Sequence, residues 1–197
     1  MIQHRTVGLA ATALAFASLA ASLAAAPARA QDPARGNVGL DAQVSQVCVL
    51  GEPNPAGLAL GQISEASGTR MGRLAAIAAQ TIQLPGTFCN YGGAALAISA
   101  SPLAVTSGAA QAGFTGAVNY TCSISAWGAT AATVRTSATN AAGDGARSTS
   151  AAPKATDLTL VVSDFATATD DLLQPGAYLA LVTITLGPDA GLTASGS

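Results

Sequence analysis

Apolar and polar residues alternate with a period of two along much of the chain, the spacing that sends successive side chains to opposite faces of a β-strand. The clearest run is Ala117 to Trp127. Val118, Tyr120, Cys122, Ile124 and Ala126 share one face, Asn119, Thr121, Ser123 and Ser125 take the other, and Gly128 ends it. Tyr178 to Leu186 repeats the pattern, with Tyr178, Ala180, Val182, Ile184 and Leu186 on one face and Thr183 and Thr185 opposite. Leu158, Leu160 and Val162 predict another strand, and Leu96, Ile98 and Ala100 one more, closed by Pro102. Thr81 to Leu84 reads as a short strand ended by Pro85-Gly86, Leu58-Ala-Leu60 as a weak one before Gly61, and Thr130 to Thr139 as a Thr-rich one.

Turn-forming clusters separate these runs at Gly51 to Gly57, Asn90 to Gly93, Ser107 to Gly116 and Asn140 to Pro153. The last is rich in Ala, Gly and Ser and reads as an exposed loop. Leu74 to Ala79 is Ala-rich and long enough for a helical turn or two. Seven or eight short strands between turns predict an all-β fold, an antiparallel β-sandwich.

The first thirty residues are different. His4 and Arg5 make a basic start, Thr6 to Ala26 is uncharged and rich in Ala and Leu, and Ala28-Arg-Ala30 places small residues where a signal peptidase cuts. Residues 1–30 are therefore expected to be a secretory signal peptide, cleaved before Gln31, with the rest exported to the periplasm, cell surface or beyond. Removing 30 of 197 residues leaves 167, and removing two of eight basic side chains leaves six against ten acidic ones. No apolar run in that remainder approaches a membrane-spanning length. Its net negative charge offers no footprint for nucleic acid.

The exported part has no histidine, since His4 is the chain's single one. That removes Ser-His-Asp and Cys-His nucleophile pairs and His-ligated zinc. Lys154 lies in the small-residue stretch Ser148-Thr-Ser-Ala-Ala-Pro-Lys154, outside the S-x-x-K spacing of a Ser–Lys dyad, and reads as a solvated loop lysine. Asp164, Asp170 and Asp171 lack the spacing of a calcium loop and read as a solvated turn. Trp127 and Tyr178 read as packing residues. Asn119-Tyr-Thr121 is a glycosylation sequon placed inside a predicted strand. No catalytic residue, metal site or cofactor is expected.

Three cysteines, Cys48, Cys89 and Cys122, all lie in the exported part, where an oxidising compartment favours a disulfide. Three pairings are open. Cys122 falls on the apolar face of the strongest strand and suits a buried thiol, so Cys48–Cys89 is the expected bridge. Closing a loop of about forty residues would stabilise the fold by about 4 kcal/mol in the chain-entropy model.

Residues 31–46 form an N-terminal extension with its own pattern. Val38, Leu40, Ala42 and Val44 alternate with Asn37, Gly39, Asp41 and Gln43, giving one apolar face. The phase slips around Ser45 and Gln46, because Val47 and Val49 have the opposite parity from Val44. The slip predicts a joint between two strands with different partners. Two arrangements satisfy it: a strand donated to the next subunit, or a single bulged edge strand packed on its own chain.

Several segments in order carry a family resemblance. They are the export signal, Val44-Ser-Gln-Val-Cys48-Val, then Ile82-Gln-Leu-Pro-Gly-Thr-Phe-Cys89-Asn, then Val118-Asn-Tyr120 with Trp127-Gly128, and Pro175-Gly-Ala-Tyr178 leading into Val182-Thr-Ile-Thr-Leu186. Together they resemble the spore coat protein U family, whose domain is similar to the subunits of chaperone–usher pili. The resemblance spans about residues 38 to 187. It implies an immunoglobulin-like sandwich completed by a donated strand, assembly with copies of itself into a surface fibre or coat, and a periplasmic chaperone and outer-membrane usher as partners. Two features depart from the pilus pattern: Gly187 to Ser197 trails past the last strand, and Cys122 is extra. The expected organisation is signal peptide 1–30, extension 31–46, sandwich 47–187 and tail 188–197. The alternative is a monomeric periplasmic or secreted binding module with a complete sandwich.

Overall fold

The computed structural model of the chain describes residues 35–137 and 146–188. The expected signal peptide lies outside the described residues, as does the expected tail 188–197 except Pro188, which with Gly187 continues the last strand rather than trailing past it. The chain divides between Ala42 and Gln43 into two units. Of the first, residues 35–42 are described; they form no strand and their side chains are exposed.

The second unit is all-β, and no described residue is helical. Its strands are β1 (Cys48–Val49), β2 (Gln80–Cys89), β3 (Ala94–Ala100), β4 (Leu103–Val105), β5 (Phe114–Thr115), β6 (Ala117–Ile124), β7 (Ala132–Arg135), β8 (Ala146–Ser150), β9 (Lys154–Ala166), β10 (Leu172–Leu173), β11 (Tyr178–Leu179) and β12 (Val182–Pro188). The larger sheet runs β1-β2-β9-β6-β4-β11, with β7 also on β6, and a smaller sheet runs β12-β3-β8. Both are antiparallel; the short β5–β10 pair is parallel. One core joins them. Leu84, Cys122, Ile124 and Leu158 from the larger sheet and Leu96 and Ile98 from the smaller are fully buried within it. Each such aliphatic side chain contributes about 1.5–3 kcal/mol by leaving water. The architecture is an antiparallel, sandwich-like fold.

Trp127 belongs to this core and has no exposed surface. Its indole N–H donates to Ala94 O at 3.0 Å, which satisfies the ring's one polar atom and ties the end of β6 to the start of β3. Gly128 follows because the chain there passes against β8: a Cβ at Gly128 would lie 1.9 Å from Thr149 O.

Several sequence expectations need correction. Pro85-Gly86 does not end a strand. It forms a bulge inside β2, where the register with β9 shifts between Leu84 and Thr87. Proline is tolerated there because a bulge needs no ladder donor at that residue. Gly86 takes a positive φ of 68°, and its N–H is accepted by Asp157 Oδ1 at 2.8 Å. Thr87 Oγ1 then fills the gap, donating to Leu84 O and accepting from Gly51 N.

The segment Asn140 to Pro153 is not all loop, because residues 146–150 form β8 on the edge of the smaller sheet. Lys154 is not a solvated loop residue. It opens β9, and its ammonium donates to Ala126 O at 3.0 Å and Trp127 O at 2.7 Å, 5.6 Å from the Trp127 ring. Leu74 to Ala79 is not helical, Leu74 forming an isolated bridge with Ser64, and Leu58 to Leu60 belongs to no strand. The run Tyr178 to Leu186 breaks in two: β11 pairs with β4 in the larger sheet, whereas β12 pairs with β3 in the smaller.

Candidate functional site

The last strand is built to pair on both sides and pairs on one. Alternating Val182, Thr183, Ile184, Thr185 and Leu186 give β12 the β-branched, two-faced pattern of a good strand. Its inner edge is in register with β3, Val182 opposite Ala100, Ile184 opposite Ile98 and Leu186 opposite Leu96. No described strand pairs with its outer edge. The consequence is visible in burial. Leu96 and Ile98 are fully covered, but Val182, Ile184 and Leu186, on the same inward face, are only half-buried. The core is open beside Val182 and Ile184.

A cleft of about 300 Å³ lies there. Leu58, Leu60, Leu179, Leu181 and Ile184 line it, together with Leu160 of the larger sheet. Of the lining, Leu179 and Leu181 are 68% and 69% exposed, unusual for side chains of this size. No charged residue lines the cleft. Beyond Leu103 and Tyr178 a second cavity, of about 680 Å³, opens towards Gln174.

Both tyrosines of the cleft have their hydroxyls committed to the backbone. Tyr120 donates to Ser101 O at 2.6 Å, and Tyr178 reaches Gln174 O at 2.9 Å and Thr115 O at 3.2 Å. Burial pushes the Tyr120 phenol well above its ordinary value, with a smaller contribution from the Cys122 thiol, and burial also raises Tyr178. Both are therefore neutral at physiological pH. What the cleft offers is apolar surface beside a row of unpaired backbone donors and acceptors, which is the chemistry that receives a β-strand.

Cys48 and Cys89 are joined by a disulfide across the first rung between β1 and β2. Cys122 is a free, buried thiol, pushed up to about 12 by burial. Val38, Leu40, Ala42 and Val44 are all exposed, Leu40 by 93% and Val38 and Val44 by 85%. Past the joint, Cys48 and Leu50 pack against the core whereas Val47 and Val49 point outward, so the inward parity is that of Val44 and the expected reversal of faces does not occur. The break at Ser45 and Gln46 is instead the end of pairing: residues 43–47 are in no strand.

Asp164, Asp170 and Asp171 do not converge. Asp170 pairs with Arg70 at 2.9 Å and Arg73 at 3.3 Å, Asp171 accepts from Thr169, and Asp164 from Ser163. Among the described residues no cluster of acidic, His or Cys side chains could hold a metal ion. Asn119 of the sequon is buried in β6.

The cleft walls were the least legible part of the site. Leu179 and Leu181 sit on the parity of the polar face of their run, and two large apolar residues there are the signal that marks an unfinished surface.

Fold and site together define a sandwich-like β domain with an open strand edge over its core. Comparison with protein-family models, with curated proteins and with solved structures finds no match to this chain.

Proposed function

We propose that the chain is an exported, non-catalytic structural subunit that associates with copies of itself into a surface fibre or coat, residues 38–44 of one copy adding as a strand to the open edge of β12 in the next. The observation that carries this reading is the unpaired outer edge of β12 over half-buried Val182, Ile184 and Leu186. The extension supplies the matching shape: four apolar side chains at alternate positions, all exposed and in no strand. Seven residues from 38 to 44 match the seven of β12 in length, so the paired strands would both run about 20 Å. The leader and the disulfide agree with export, and an open apolar cleft before assembly suits a periplasmic chaperone and an outer-membrane usher as partners. The immunoglobulin-like topology and the likeness to spore coat protein U belong to the same reading.

The second cavity favours another use. Gln174 Oε1 is buried there without a hydrogen-bond partner, a feature that a bound polar molecule would satisfy in a monomeric binding module.

Size-exclusion chromatography and negative-stain imaging of the chain from Gln31 onward, with and without residues 31–44, separate the two. Strand addition expects oligomers or fibres from the longer form, a folded monomer from the truncation, and inhibition by a synthetic peptide of residues 31–44. A longer form that stays monomeric at high concentration, with a truncation that unfolds, makes the segment an internal strand and ends the proposal.

A further inference from the structure

The root of the extension is held by one residue, Asn90. Asn90 follows Cys89 where β2 ends and the chain turns towards β3. Its backbone N–H donates to Val47 O at 3.0 Å, its side-chain Oδ1 accepts from Val47 N at 2.8 Å, and its Nδ2 donates to Ser45 O at 2.9 Å. The amide stands in for the backbone of a partner strand that has already turned away, adding a last rung to the β1–β2 ladder. The rung sits one residue from the Cys48–Cys89 bridge. The Tyr91 hydroxyl lies 3.3 Å from Cys48 Sγ and, the sulfur being oxidised, is the donor. From Val47 onward the chain is fixed to the domain, and Ser45 is fixed by its carbonyl.

The last apolar residue of the proposed donor strand is Val44, immediately before the first clamped residue. We infer that Asn90 is the joint that sets the geometry between neighbouring subunits, because it leaves no free residue between the donated strand and the body that donates it. The inference rests on the strand-addition reading. A connector without slack holds successive bodies close and in one orientation, so the assembly is stiff. Releasing the side-chain clamp would free Ser45 and Gln46 as far as Val47, whose carbonyl stays on the backbone N–H of residue 90, a tether of up to about 7 Å, and the bodies would swivel.

The test uses the exported chain from Gln31 onward, the variant Asn90→Ala, and a variant with three Gly/Ser residues inserted between Val44 and Ser45. Two quantities are read: hydrogen exchange at the Val47 amide in the unassembled protein, and persistence length of assemblies in electron micrographs. Asn90→Ala is expected to speed Val47 exchange about tenfold. Both variants are expected to assemble with persistence length cut by about half or more. Unchanged Val47 exchange in Asn90→Ala overturns the clamp. Asn90→Ala assemblies as stiff as the parent, with the insertion variant softened, overturn the joint while strand addition stands. A parent chain that forms no assembly overturns strand addition and the joint with it, and the exchange result still separates that failure from a failed clamp.

Discussion

Leu40 is the side chain on which strand addition should depend most, and its contribution follows from its surroundings. It is 93% exposed on the extension, so nearly all of its surface leaves water if it enters the cleft beside β12. Leu40→Ala removes three carbons, worth about 0.8 kcal/mol each, or about 2.4 kcal/mol together. That corresponds to about 60-fold in dissociation constant. The assay is fluorescence anisotropy of a labelled peptide of residues 31–44, titrated with the chain lacking those residues. Val38→Ala removes two carbons and should weaken binding about 15-fold. Asp41→Ala, on the opposite face, should change it by less than about twofold. Ala42→Asp would bring a carboxylate into a cleft with no charged lining, and should abolish measurable binding. The reasoning fails if Leu40→Ala binds like the parent peptide, or if Asp41→Ala weakens binding as much as Leu40→Ala does. Either result would mean that the alternation does not decide which face is buried.

Three further outcomes test the fold beneath the site. Replacing both Cys48 and Cys89 with Ala opens a bridge between residues 41 apart in sequence, and urea unfolding should report a loss of about 4 kcal/mol. Trp127→Phe leaves Ala94 O without its indole donor in the core, so the same measurement should give a loss of about 2–3 kcal/mol. Cys122 should resist alkylation until the protein unfolds. Its thiol, like the Tyr120 phenol, is raised in the folded state, so the stability it lends is complete below the ordinary thiol range near 9 and is lost as pH climbs towards about 12; Cys122→Val should flatten that alkaline loss.

Strands whose inward positions are large and apolar were legible in the sequence. β6 was read from Val118, Tyr120, Cys122 and Ile124, all of which are buried, and the bridge Cys48–Cys89 followed from giving Cys122 to that core. β8 was hidden because its inward positions are serines. Ser148 and Ser150 are buried by hydrogen bonding rather than by hydrophobicity, Ser148 accepting from Gly128 N and donating to Thr130 O, and Ser150 donating to Ala152 O. A hydroxyl that replaces a missing backbone partner looks, in sequence, like loop composition. The bulge at Pro85-Gly86 was hidden for a related reason: its partner is Asp157, 71 residues away, and no local pattern announces it. Nothing in the sequence marks the place of Lys154, because its acceptors are backbone carbonyls, which every sequence has. The cleft was half legible. The apolar face of Val182, Ile184 and Leu186 was plain, but which edge of that strand would stay unpaired depends on sheet order, which alternation does not encode.

Sheet order also bears on why β12 is the place where a second chain would add. An exposed strand edge invites pairing, and folded proteins usually blunt it with shortness, charge or proline. The other edges here follow that rule. β1 and β11 are two residues long. β7 carries Arg135 and β8 carries Arg147, both exposed. β12 has none of these defences from Val182 to Leu186: it is long, uncharged and Thr-rich, and its one proline, Pro188, comes at the end. A monomeric binding module would gain nothing from leaving such an edge bare, since a ligand in the second cavity would still leave the outer edge of Val182 to Leu186 unpaired. A subunit that receives a strand needs that edge open, and needs the donor to be the kind of segment found at residues 38–44, apolar at every second position and in no strand among the described residues.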